Sequence, residues 1–157
     1  MTAGKGLAAI AGSANNVEAK ILSANPVLEA FGNAKTVRNN NSSRYGKLLQ
    51  VEYSADGEII GGELNDYLLE KTRVVQQSAG DRNYHIFYQL LLGAGPAALK
   101  KYHLKADPMK YKILTGGGDL TVDGMDDREE YKAVTKAFGS LGFKDEEVEG
   151  LWRVLAV

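Results

Sequence analysis

Apolar residues recur at helical spacing in several stretches of the chain and at strand spacing in one. Val17, Ile21 and Leu22 share one side of a short helix that Asn15 or Asn16 caps. Asn25-Pro26 then opens a second helix over Pro26–Phe31, which Gly32 stops. Leu49, Val51 and Tyr53 alternate with Gln50 and Glu52, the period of a half-buried strand, and Asp56-Gly57 returns the chain through Glu58-Ile59-Ile60 as a hairpin. A further strand is predicted within Leu68–Gln76, where Leu68-Leu69 and Val74-Val75 flank Glu70-Lys71. Tyr84, Phe87, Tyr88 and Leu91 fall at i, i+3, i+4 and i+7, predicting an amphipathic helix capped by Asp81 and closed by Gly93. Two more helices follow: Tyr131, Val134, Phe138 and Leu141 line one, and Val148, Leu151, Trp152 and Leu155 line the other, capped by Asp145. Between them, Gly95-Pro96, Asp107-Pro108 and Gly116-Gly117-Gly118 interrupt residues 94–124, leaving only a short helix at Ala97–Tyr102.

The polar stretch Asn33–Gly46 offers almost nothing to bury and is expected to be a loop. The first twelve residues have neither cap nor periodic face, and the last helix lacks a stop signal, so a segment of a larger domain is expected. Composition changes this picture little. At 157 residues with 44% hydrophobic and 25% charged residues, the chain has the profile of an ordinary globular domain. Nineteen basic against twenty acidic residues give a net charge of -1, which announces no nucleic-acid or acidic-lipid surface. The absence of cysteine excludes disulfides, thiolate metal sites and a cysteine nucleophile, and is compatible with a cytosolic home. No apolar run approaches the roughly 18 residues of a membrane span, and Leu7–Ala11 is too short and small-sided for a signal peptide.

The stretch with most chemistry is Asn39-Asn40-Asn41-Ser42-Ser43-Arg44-Tyr45-Gly46-Lys47. Two adjacent hydroxyls, an amide shortly before them and a guanidinium directly after can hold a triphosphate and its magnesium. On residue types alone, a solvated polar loop is the commoner outcome. His85 has no carboxylate spaced to orient it and is expected to pack; His103 belongs to a solvated helix end near Lys100, Lys101 and Lys105. Asp119, Asp123, Asp126 and Asp127 lack calcium-loop spacing, and Asp126-Asp127 suits a helix N-terminus. Gly116-Gly117-Gly118 is expected to be flexible and Trp152 to be core.

Asn25–Thr36, continued without a gap by Val37–Lys47, closely resembles the myosin motor family around its switch I loop. The likeness extends to Tyr67–Val75, similar to a strand of that family's central sheet, to Gly80–Leu91, similar to the following helix, and to Phe138–Phe143 in a later helix pair. The resemblance implies an α/β fold: part of a P-loop NTPase-type motor core, a mixed sheet flanked by helices, with switch I at about 33–47, strands at about 47–76 and a helical remainder at 81–157. It implies a cytoplasmic, cytoskeletal, actin-activated ATPase using Mg2+ and ATP, with the rest of the motor and actin as partners. By position, Asn39 would contact the nucleotide phosphates, Ser43 would join the magnesium shell, Ser42 would lie against the γ-phosphate and attacking water, and Arg44 would pair with a switch II glutamate. The phosphate cradle G-x-x-x-x-G-K-[ST] is not found, because Gly4-Lys5 is followed by Gly6 and Lys5 is not the Walker lysine. Switch II, most of the actin-binding surface and the lever arm are not found either, so no ATPase activity is expected of this chain alone. The competing expectation is a catalytically silent structural or interaction module; a GTPase-like or kinase-like phosphate binder is weaker, since neither family's cradle is present.

Overall fold

The computed structural model describes residues 17–157; Lys5 and the caps expected at Asn15 and Asn16 lie outside them. The core is built around one helix, α3 (His85–Gly93), in which His85, Ile86, Tyr88, Gln89, Leu90 and Leu91 are all buried. A helix buried around most of its circumference needs neighbours on several sides. Helix α2 (Asn25–Gly32) supplies Ala30; α6 (Asp127–Leu141) supplies Val134 and Phe138; α7 (Asp145–Leu155) supplies Trp152. Phe138 is the junction: its ring meets Phe31, Phe143 and Trp152 edge-on at centroid distances of 6.5, 5.2 and 5.8 Å. Aromatic pairs favour this arrangement because ring edges are positive and faces negative. Gly93 lets Tyr131 approach, since a Cβ there would lie 2.3 Å from the Tyr131 Cβ. On the opposite side of α3, Tyr88 and Leu91 join Leu99 from α4 (Gly95–Lys101) and Leu114 from α5 (Lys112–Thr115) in a second apolar cluster.

The remaining helix is α1 (Val17–Ser23), and the strands form two separate antiparallel pairs. Strands β1 (Asn33–Thr36) and β2 (Asn39–Ser43) pair Asn33 with Ser43, Ala34 with Ser42 and Thr36 with Asn39. Strands β3 (Gly46–Tyr53) and β4 (Ile59–Tyr67) pair Gly46 with Tyr67 through Tyr53 with Ile59, turning at Gly57, whose φ is +83°. The alternation at Leu49 and Val51 is observed: both are half-buried, between exposed Gln50 and Glu52.

Several expectations are corrected. Among the described residues there is no mixed sheet, only the two small antiparallel ones. The expected loop at Asn33–Gly46 contains the β1–β2 hairpin. The strand expected within Leu68–Gln76 is absent: Leu68 takes a left-handed φ of 55° and Lys71–Val74 coil into a 3-10 turn. Asp81 caps nothing; α3 starts at His85, and the Asp81 carboxylate instead binds Arg73 and the Val37 N–H. Nor does Asp145 cap α7, because the Lys144 N–H is held by the Glu147 carboxylate. Gly117, expected to be flexible, is a point of close approach, as a Cβ would lie 2.0 Å from the Asp81 carbonyl oxygen. Its own carbonyl accepts the Gly80 N–H at 2.8 Å, which ties the glycine run to the turn before α3.

Candidate functional site

Strand β2 of the β1–β2 hairpin is polar throughout, and the hairpin has different partners on its two sides. On the inner face, Asn41 Nδ2 donates to Glu29 of α2 at 3.0 Å, while Asn41 Oδ1 accepts from Asn33 Nδ2 at 3.0 Å and lies 3.1 Å from His85 Nε2. His85 is 1% exposed, and burial, helped by the nearby Arg82 charge, pushes its pKa down to about 3. The ring is therefore neutral at physiological pH. The packed histidine expected from the sequence is observed, with an amide rather than a carboxylate against it. Helix α2 enters β1 directly at Asn33, and the Arg44 N–H returns to the Gly32 carbonyl at 2.8 Å, so both ends of the hairpin are fixed to one helix terminus.

The outer face borders an open recess of about 530 Å³. Thr36, Val37, Arg38, Asn39, Ser42 and Arg44 form one side; Arg73, Ser78 and Asp81 form the other. Three guanidiniums, Arg38, Arg44 and Arg73, stand against the Asp81 carboxylate in the wall and the Glu70 carboxylate that pairs with two of them, a small positive excess that biases the recess toward an anion. Asn39, Ser42 and Arg44, singled out in the sequence, are brought together here. Ser43 is not among the residues of the recess: its exposed hydroxyl donates to the Tyr45 carbonyl at 2.9 Å. Arg44 Nη1 donates to Ser42 Oγ at 3.2 Å, and Asn39 Oδ1 accepts the Asn41 N–H at 2.8 Å.

Arg44 binds a carboxylate of this chain, Glu70, whose Oε2 accepts Arg44 Nε–H at 2.7 Å and Arg73 Nε–H at 2.8 Å. Partial burial raises the Glu70 carboxyl's pKa, but the hydrogen bonds and charges of the two arginines outweigh it, leaving Glu70 below the ordinary carboxylate range. Sequence reasoning missed Glu70, Arg73 and Asp81. A signal was present: a segment that reads as a strand but carries Glu70 and Arg73 three residues apart must bury or pair those charges. The donor set also bears on what the recess can hold. Among the described residues no cluster of three or more His, Asp or Glu side chains suits a bare metal ion. The hydroxyls and guanidiniums instead suit phosphate oxygens and a hard cation that arrives with them.

Residues 5–157 match the myosin head (motor domain) family. The chain belongs to that family. It is 49% identical over 140 residues to Myosin-3 of Caenorhabditis elegans, an alignment covering 89% of this chain and 7% of that protein. It is 49% identical over 143 residues to unconventional myosin-Ia of Mus musculus, covering 91% and 14%, and 49% identical over 155 residues to myosin type-2 heavy chain 1 of Schizosaccharomyces pombe, covering 96% and 10%. The chain thus spans a small part of each of these relatives. It is a segment of a myosin head made of helices and small antiparallel sheets, and no helix among the described residues is long and apolar enough to cross a membrane.

Proposed function

We propose that this segment supplies the switch I element of a Mg-ATP hydrolysing site in an actin-based motor. The observation that carries the reading is the convergence of Asn39, Ser42 and Arg44 on one recess with an excess of guanidinium charge. Asn39 would donate its amide N–H groups to phosphate oxygens, and Ser42 would orient its hydroxyl toward the terminal phosphate and the attacking water. Arg44 already spends Nε on Glu70 and Nη1 on Ser42, which leaves Nη2 to close on a further acidic group. Ser43, whose hydroxyl here donates to the Tyr45 carbonyl away from the recess, would have to be re-oriented together with its stretch of backbone before its Oγ could serve as a neutral oxygen ligand. Magnesium, when bound with the nucleotide, neutralises charge developing on the phosphates. These side chains act by position and charge, with no covalent step of their own.

In a motor domain containing this chain, Ser43→Ala and Arg44→Ala are each expected to reduce steady-state ATP turnover by at least about a hundredfold while the far-ultraviolet circular dichroism stays unchanged. Normal turnover in both variants overturns the reading. For the 157-residue chain by itself, calorimetry is expected to show no Mg-ATP binding, since too few of the phosphate-gripping groups are present; a tight magnesium-dependent heat would contradict this. A second reading, a catalytically silent module within an assembly, draws support from the 95% exposed Leu68 and 77% exposed Val75. It predicts that both alanine variants leave turnover untouched.

A further inference from the structure

Three charged side chains to which the scheme above gives no contact with a phosphate, Glu70, Arg73 and Asp81, form a line along the wall of the recess. Glu70 Oε2 holds the Nε–H groups of Arg44 and Arg73. Arg73 Nη1 donates to Asp81 Oδ2 at 3.0 Å and to the Arg82 carbonyl at 2.9 Å; Asp81 Oδ1 accepts the Val37 N–H at 3.1 Å. Both ends of this line land on the same hairpin: Val37 is in its turn and Arg44 directly follows β2. The hairpin's own pairing is irregular between Ala34 and Thr36, and its tip is closed by the Thr36 hydroxyl, which accepts the Asn39 N–H at 3.1 Å; Asp81 adds a hold from outside on Val37. The Arg73–Asp81 half of the line is dry and the Glu70–Arg44 half wetter, with side-chain exposures of 5% for Arg73 and 11% for Asp81 against 33% for Glu70 and 29% for Arg44. Charge-assisted hydrogen bonds away from water are stronger and geometrically stricter than exposed ones. The fork of Arg73 engages Glu70, Asp81 and the Arg82 carbonyl together, which the single ammonium of a lysine does not do.

We propose that Glu70, Arg73 and Asp81 are positioning residues: a charged strut that sets the distance between the hairpin tip and Arg44, and so the way Arg44 and Ser42 meet a bound phosphate group. The proposal rests on the phosphate reading of the recess. It also makes a structural claim that is independent of that reading, namely that the Val37 N–H is protected through the strut.

The test uses a motor domain containing this chain. Glu70→Gln keeps the shape but removes the charge. Its kcat with Mg-ATP is expected to fall about tenfold or more, with KM within about threefold, because misplacement acts on the reacting geometry more than on binding. In an Arg44→Ala background the same change is expected to cost nothing further, since Glu70 acts through Arg44. Asp81→Asn and Arg73→Lys are expected to speed hydrogen exchange at the Val37 amide about tenfold. Independent, multiplying losses in Glu70→Gln and Arg44→Ala overturn the strut, as does unchanged Val37 exchange. Should Glu70→Gln not fold, Glu70→Asp, which keeps the charge and withdraws it by one methylene, carries the same cycle. Wild-type turnover in Arg44→Ala sinks the phosphate reading alone, and the strut is then judged on Val37 exchange.

Discussion

Arg82 and His85 stand at the head of α3, 0% and 1% exposed, and they accommodate burial in opposite ways. Arg82 is paired: its two terminal nitrogens grip Asp127 at 3.1 and 2.9 Å, and its guanidinium lies 3.7 Å above the centre of the Tyr88 ring. Removing one partner of such a pair strands the other charge in a dry site, which costs about 3–5 kcal/mol. Asp127→Asn is therefore expected to lose about that much stability in urea unfolding, and a loss under about 1 kcal/mol would contradict the pairing. His85 gives up its charge instead. Folding lowers its pKa from 6.5 to about 3. Between those values the unfolded chain binds more protons than the folded one, so stability rises with pH across the window and is lost as pH falls. The slope is at most about 1.4 kcal/mol per pH unit, or about 2 kcal/mol between pH 6.5 and 5. His85→Gln is expected to remove that much of the difference between urea midpoints measured at pH 7 and pH 5, and an unaltered difference rules the assignment out.

Helix α6 illustrates how an element is closed at both ends by residues legible in the sequence. Asp126 accepts the Arg128 N–H at 2.8 Å as N-cap, and Gly142 follows the last turn with a left-handed φ of 84°. Asp126→Ala is expected to cost about 1 kcal/mol, a fall of about 2–4 °C in Tm for a chain of this size. The helical faces were readable for the same reason: Val134 and Phe138 keep the 3.6 period, and that period decides which side meets α3. The β1–β2 hairpin was not readable, because Asn39–Ser43 carries no apolar alternation. Its order comes from Asn33, Glu29 and His85, which converge only in space. The segment Leu68–Gln76 failed in the other direction. Its paired leucines and valines have strand propensity, yet Leu68 turns left-handed and Arg73 is drawn into burial by Glu70 and Asp81. Of the residues lining the recess, Asn39, Ser42 and Arg44 stand out in the sequence by residue type and resemblance. The carboxylates of the strut, Glu70 on Arg44 and Asp81 on Arg73, were hidden because the strut bridges residues 44, 70, 73 and 81.

At the scale of the whole chain, burial is unevenly distributed, and so local stability must be uneven too. The helical core around Phe138, Leu90 and Trp152 is nearly dry, whereas of all the residues in β3 and β4 only Ile59 is buried. Leu48, Tyr53, Ile60 and Tyr67 are about half exposed. A two-stranded hairpin is marginal by itself in water. This one leans on α1, where Ile21 packs so closely over Gly62 that a Cβ on the glycine would lie 2.8 Å from the Ile21 Cδ1, and on the backbone bond from Glu70 N–H to the Arg44 carbonyl at 3.0 Å. Amides of β3 and β4 are therefore expected to open locally and exchange at least about a hundredfold faster than those of α3, whose opening requires the core to separate. Replacing Ile21 with alanine removes an apolar contact that braces this hairpin against α1. It is expected to speed exchange in β3 and β4 while leaving α3 unchanged. If both regions sped up together, the hairpin and the core would be a single cooperative unit, and the chain would transmit strain from the hairpin into α3 rather than absorb it.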